Sequence, residues 1–274
     1  MTTETIRQPA MAGKFYTAVP TRLHDELTGY LATPATAKAK AYGVMVPHAG
    51  YVYSGEICGR ALASIEIPET VLILHTKHQL GGGTFSLAAF KEWVTPLGSV
   101  MRDEKLAAAL NEIELIDESN LPHFSEHAAE VVLPFLQELR PDVKACIVSV
   151  SHATWEDVET VAEQISKAVL QQDGDVLLIA STDMNHFEDH DKTVMKDTKA
   201  LDALAKYDVR GMHDVCYTDE ISMCGLHATL VTALACKHLG ASKAEVMEHK
   251  TSGEINGEMN QVVGYASARF MQQQ

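Results

Sequence analysis

Tyr42-Gly43-Val44-Met45-Val46-Pro47-His48-Ala49-Gly50-Tyr51 carries a short apolar run straight into a proline, a histidine and a glycine. The run has the length and composition of a buried strand. Pro47 ends it, because proline has no N–H to give to a strand ladder. Gly50 and Gly55 allow sharp backbone paths, so a loop is expected here, with a helix only over Gly59–Ser64, before Pro68. A histidine at the C-terminal end of a strand stands where α/β sheets place their chemistry.

The same pattern recurs twice. Val71-Leu72-Ile73-Leu74 runs into His75-Thr76-Lys77-His78 and then the triplet Gly81-Gly82-Gly83, while Asp175–Ala180 runs into Ser181-Thr182-Asp183-Met184-Asn185-His186. Ala145–Val150 is a fourth such strand, and Phe85–Phe90, Trp93–Pro96, Ala244–Glu248 and Val262–Phe270 read as further short ones. Helical stripes lie between them. Leu23, Leu27 and Leu31 mark a helix over 21–32 that Pro34 stops. Others cover Glu104–Asn111, Glu126–Leu136 (Ser125 as N-cap, Pro134 as a kink), Trp155–Leu170, Lys192–Tyr207 and Ala228–Leu239. Residues 1–20 lack periodicity and read as an extended arm packed through Phe15 and Tyr16. Strands of four to six apolar residues alternating with longer helices are the α/β signature, a central mostly parallel sheet flanked by helices. No linker, repeat or composition shift divides the chain, so a single domain over 1–274 is the expectation.

Composition narrows the function. The chain has 274 residues, 46% hydrophobic and 22% charged, with 37 acids against 22 Lys and Arg and a formal charge of −15. Such an acidic chain repels phosphate, which argues against nucleic acid and anionic membrane as partners. No apolar stretch approaches the ~20 residues that cross a bilayer, and no basic-flanked apolar segment opens the chain. The five cysteines are odd in number and irregularly spaced, which argues against a disulfide framework and for a reducing, cytoplasmic setting.

Three strand ends thus bear His48, His75 with His78, and Asp183 with His186. Parallel strands gather their C-terminal ends on one edge, where a helix opening at Ser222-Met223-Cys224-Gly225 can add a thiolate and His127 a further imidazole. Two imidazoles and one anionic ligand with open positions suit oxygen-activating iron, and a thiolate in the anionic place softens the site toward Cu(I), Zn or Fe. Each residue also has a plainer reading. A free cysteine is more often a small buried hydrophobe, Asp183 could cap a helix, His75 could cap a strand, and His227 could be structural. The spacing of Glu126 and Glu130 is that of a solvated helix face.

The motifs Arg7-Gln8-Pro9-Ala10-Met11-Ala12-Gly13-Lys14-Phe15-Tyr16, Val46-Pro47-His48-Ala49-Gly50-Tyr51, Glu126-His127 with Glu130 and Leu133-Pro134-Phe135-Leu136, Ser181–His186 and Met223-Cys224-Gly225 together resemble the Memo family, whose bacterial and archaeal members are called AmmeMemoRadiSam system protein B. The resemblance runs from about residue 7 to 270. It implies a fold similar to class III non-haem iron extradiol dioxygenases and one transition metal ion, iron or copper. Carried over by motif, His48, His78 and Cys224 would be the ligands, and Asp183, His186 and His127 would line the pocket. The strand end at 73–78 departs from the family's Ile-Leu-Gly-Pro-x-His, gaining His75 and Lys77 while keeping His78 in register. The resulting expectation is a redox protein acting on a small molecule. His127 or His186 would move protons, and Asp183 would orient a histidine through its ring nitrogen. A copper-holding or scaffold protein without turnover, and a zinc hydrolase, are the alternatives.

Overall fold

The computed structural model describes residues 5–32 and 38–273; Pro34, expected to stop the first helix, lies outside them. In chain order the elements are β1 (Ile6–Arg7), α1 (Pro20–Leu31), β2 (Gly43–Val46), α2 (Tyr51–Ala63), β3 (Thr70–Thr76), β4 (Phe85–Leu87), β5 (Glu92–Thr95), β6 (Gly98–Met101), α3 (Glu104–Asn111), β7 (Ile116–Glu118), α4 (Leu133–Leu139), β8 (Lys144–Val150), α5 (Trp155–Leu170), β9 (Val176–Ser181), β10 (His186–Glu188), α6 (His190–Ala205), α7 (Val209–Thr218), α8 (Leu226–His238), β11 (Lys243–Thr251), α9 (Gly253–Asn256) and β12 (Val262–Met271).

The four central strands run β8-β3-β9-β2, each parallel to its neighbours. Antiparallel strands extend the sheet, with β12 beside β2 and β11 beside β12. Because β9 lies between β3 and β2, Ser181 pairs with His75 on one side and with Val46 on the other. That register brings the ends of three strands, and the loops that follow them, to one edge.

The continuous apolar strands are explained by burial on both faces. Successive residues alternate between two cores. Leu72, Leu74, Leu178 and Ala180 pack with α3, α5, α6, α7 and α8, while Val71, Ile73, Leu177 and Ile179 pack with α1, α2 and α4. Local chemistry fixes the helix starts. Thr154 and Asp157 form a reciprocal capping box on α5, and the Asp103 and Asp189 carboxylates cap α3 and α6.

Two expectations are corrected. The stretch after His48 is not a long loop, since α2 starts at Tyr51 and contains both Gly55 and Gly59. At Gly59 the need is room, for a Cβ there would come within 2.7 Å of the Tyr30 carbonyl oxygen of α1. The expected helix over Glu126–Leu136 forms only from Leu133 onward. The Glu126 carboxylate is turned back onto the backbone N–H groups of His127 and Ala128 and onto the His78 ring, and the chain before Leu133 runs in turns. Pro134 consequently stands in the first turn of α4, where proline is tolerated, and kinks nothing. The N-terminal arm packs through Tyr16, which is buried, and also adds β1 beside β5. No helix among the described residues is long and apolar enough to cross a membrane.

Candidate metal centre

His48 leaves the end of β2 and is buried. Its Nδ1 meets Ser181 Oγ at 2.9 Å, and that hydroxyl donates its own proton to the Ala128 carbonyl at 2.6 Å. Ser181 can therefore only accept from the ring. This assigns the proton to Nδ1 by the hydrogen-bond network and leaves a lone pair on Nε2, which faces Cys224 Sγ at 3.3 Å. His78, just past β3, is held in the same way. Its Nδ1 donates to Glu126 Oε1 at 2.8 Å and its backbone N–H to Oε2 at 2.8 Å, so Nε2 again carries a lone pair.

Cys224 precedes Gly225, the N-cap of α8. Its sulfur accepts the Asp183 backbone N–H at 3.2 Å. Gly225 lets the segment approach β9 closely: a Cβ there would sit 2.7 Å from the Ser181 carbonyl oxygen. One donor atom from each of His48, His78 and Cys224 lies within 4.8 Å of the others. The second such group among the described residues, His78 with Glu126 and His127, is built differently. Its carboxylate is already engaged by three backbone N–H groups and an imidazole.

His127 stacks on His78 with ring centres 4.5 Å apart and meets His48 edge-on at 5.1 Å. Asp183 is buried, and its Oδ1 accepts the His48 backbone N–H at 2.9 Å. It was expected to orient a histidine through a ring nitrogen. Instead it fixes the His48 backbone, and Oδ2 stays 3.8 Å from Nε2; the ring-orienting roles fall to Ser181 and Glu126. His186 stands at the rim, half-buried. Its Nδ1 donates to the Ser222 carbonyl at 2.9 Å, leaving Nε2 to accept a proton. His75 turns away from the group, with Nδ1 on the Thr76 carbonyl and Nε2 facing His123 Nδ1 at 3.3 Å.

Electrostatics favour neutral imidazoles. Burial, and then the His78 ring, pushes His48 down to about 3; burial, then His48, pushes His127 down to about 4. Burial would raise the Glu126 carboxyl, but the His78 hydrogen bond and the surrounding imidazoles outweigh it and hold it well below the carboxylate range. Burial and the Asp183 carboxylate push the Cys224 thiol up. A thiol in this position becomes a thiolate when a cation neutralises it. Two imidazole lone pairs, each with its other nitrogen anchored, and one sulfur at a helix N-terminus are a donor set that fits a soft or borderline transition ion.

Sequence reading missed Glu126 as a buried anchor, and with it Ser181, Arg7 and Glu130. Arg7 is buried; its guanidinium pairs with buried Glu130 at 2.6 Å and donates to the carbonyls of His123 and Glu126. Arg7 stands in an arm that also carries Glu4, Gln8 and Lys14, and nothing local says that it is buried.

The Memo-like protein family model matches residues 7–269. The chain belongs to the Memo-like family. A MEMO1 family protein of Sulfolobus acidocaldarius is 36% identical over 97% of this chain and 99% of its own length. One from Sulfurisphaera tokodaii is 37% identical over the same shares. Another, from Methanopyrus kandleri, is 35% identical over 96% of this chain and 98% of its own. The crystal structure of the uncharacterized protein JW3007 from Escherichia coli K12 shares the fold of this Memo-like chain. Its TM-score is 0.56 at 13% identity, covering 84% of this chain and 99% of that one.

Proposed function

We propose that this Memo-like protein is a metal-dependent redox protein acting on a small molecule, with His48, His78 and Cys224 as ligands of one iron ion. The observation that carries the reading is the triad of donor atoms within 4.8 Å of one another, two of them on imidazoles whose outer nitrogens are already committed to Ser181 and Glu126. A bound iron(II) would supply a one-electron redox couple and open coordination positions, as in non-haem centres with two imidazoles and one anion. The chain's own residues do the rest. Ser181 and Glu126 hold the two rings in the metal-binding tautomer. Asp183 fixes the backbone of His48. His127 and His186 flank the site with proton-accepting nitrogens, the role of a general base.

The sulfur supports a second reading, Cu(I) held without turnover, because thiolate favours that ion over hard ones. Elemental analysis of protein purified anaerobically from its own host separates the two. The redox reading expects near-stoichiometric iron, lost in both His48→Ala and Cys224→Ser, and oxygen uptake above background with candidate substrates. Copper at that stoichiometry without oxygen uptake transfers the weight to copper handling. Zinc raises a hydrolase, and wild-type protein free of metal overturns the metal readings altogether.

A further inference from the structure

A cavity of about 440 Å³ opens beside Cys224, between the ends of β3 and β8 and helices α7 and α8. Cys216, Ile221, Met223 and Leu226 give it apolar walls. His152, Tyr217 and His227 give it a polar one that the metal ligands do not use. Tyr217 Oη lies 3.1 Å from His152 Nδ1 and 3.2 Å from His227 Nε2. A phenol has one proton, so it donates to one ring and accepts from the other. The Ala153 backbone also favours the protonated ring of His227, as an acceptor beside Nδ1 does. A carbonyl there takes the ring's proton, so Nε2 accepts from Tyr217. Tyr217 then accepts from the Nδ1–H of His152, which leaves His152 Nε2 with a lone pair. Every donor in the chain points toward Ala153, and the open end is an acceptor.

Charge limits what can enter. Lys77 is the only lysine or arginine among the described residues lining the cavity, and its three ammonium protons are taken by the carbonyls of Gly81, Gly82 and Gly83 at 3.2, 3.4 and 2.7 Å. Glu220 lines the same cavity. Burial, with the His152 and His213 rings, holds His227 down at about 4, so it brings no charge at neutral pH. Apart from a metal ion at Cys224, an anion finds no free cation here.

We infer that this cavity is the substrate pocket of the site, and that it takes a small molecule whose apolar body, uncharged where it meets this wall, bears a hydroxyl group donating to His152. The inference rests on the metal-centre reading for its place beside Cys224, whereas the hydrogen bond itself needs no metal. The volume lies within the range of small-molecule pockets, and a site with a fixed acceptor discriminates against analogues that lack the donor.

The test uses metal-free full-length protein with ¹³C-methyl methionine and follows the Met223 methyl signal. It is titrated with phenol against anisole, cyclohexanol against methoxycyclohexane, and benzoate. The hydroxyl compound of each pair is expected to bind about fivefold or more tighter than its methyl ether, the worth of one such hydrogen bond, and benzoate to bind more weakly than phenol. His152→Leu should erase the preference, and Tyr217→Phe, which frees the His152 tautomer, should reduce it. Equal binding within the pairs, an undiminished preference in His152→Leu, or tighter binding of benzoate overturns the inference. Metal stoichiometry on host-purified samples of the same proteins separates the two readings. A hydroxyl preference in a protein that holds no metal sinks the metal centre alone, and full metal without the preference sinks the pocket alone.

Discussion

Glu126→Gln changes one oxygen to an amide and removes one charge while keeping the side chain's shape. The structure makes the consequence calculable. Glu126 Oε2 accepts from the His78 backbone N–H at 2.8 Å, and Oε1 accepts from His78 Nδ1, His127 N and Ala128 N at 2.8, 2.9 and 3.1 Å. No orientation of an amide satisfies all four donors. The better one keeps oxygen at the triple site and sets the NH₂ against the His78 N–H, leaving a buried donor unpaired at a cost of about 1–3 kcal/mol. The bond to His78 Nδ1 also loses its charge assistance, about 1 kcal/mol more. Unfolding of the metal-free protein in urea should therefore show a loss of about 2–4 kcal/mol, whereas Glu163→Gln, on the exposed face of α5, should leave the urea midpoint unchanged. Because His78 loses its carboxylate anchor, metal affinity measured by chelator competition should fall about 10- to 100-fold. If the two variants are equally stable and bind metal equally well, Glu126 does not organise the site and the argument fails.

Arg7→Met should destabilise by about 3–5 kcal/mol, since it strands the buried Glu130 carboxylate; a loss under about 1 kcal/mol in the same urea assay contradicts a structural role for the arm. Acidification supplies another check. Burial lowers His123 well below its ordinary 6.5, and burial with neighbouring rings lowers His227 to about 4. The unfolded chain therefore binds more protons than the folded one between about 4 and 6.5, and stability falls as pH drops through that window. The urea midpoint of metal-free protein should decline from pH 6.5 to 4, and His123→Phe should flatten the decline; a midpoint that rises on acidification would reverse the assigned sign.

What was legible in the sequence was set by period and by strand ends. Trp155–Leu170 and Glu104–Asn111 match the observed helices to the residue, because each combines an apolar stripe with a capping residue. The central strands were readable because burial on both faces leaves few polar residues in them. The strands Gly98–Met101 and Ile116–Glu118 and the helix Val209–Thr218 were not read. The two strands are short and mostly exposed, and a short element at a sheet's margin is fixed by pairing rather than by its own pattern. Strand and helix ends offered His48, His75 or His78, and Cys224 as candidates; the family resemblance chose His78, and the structure brings His48, His78 and Cys224 together. The anchors did not follow, because a carboxylate spaced like a helix-surface acid has the same letters whether solvent or backbone N–H groups receive it.

That gap also explains the N-terminal motif. Residues 7–16 carry no proposed ligand, yet they bind the segment that does the positioning. Arg7 takes the carbonyls of His123 and Glu126 as well as the Glu130 carboxylate, and Glu130 in turn accepts from Ala10 N, Met11 N and Tyr16 Oη. Phe15 closes on the His127 ring with centres 4.8 Å apart. The stretch from Phe124 to Glu130, between a 3-10 turn at Leu121–His123 and α4, is thus non-helical backbone held on one side by the arm, and on the other by Ser181, whose hydroxyl takes the Ala128 carbonyl. Non-helical backbone can be buried only where its polar groups find partners, and here those partners are supplied from the chain's first residues. The arm is therefore part of the frame of the site: a change at Arg7 propagates to Glu126 and from there to the ring of His78, three side chains that no local pattern in the sequence connects.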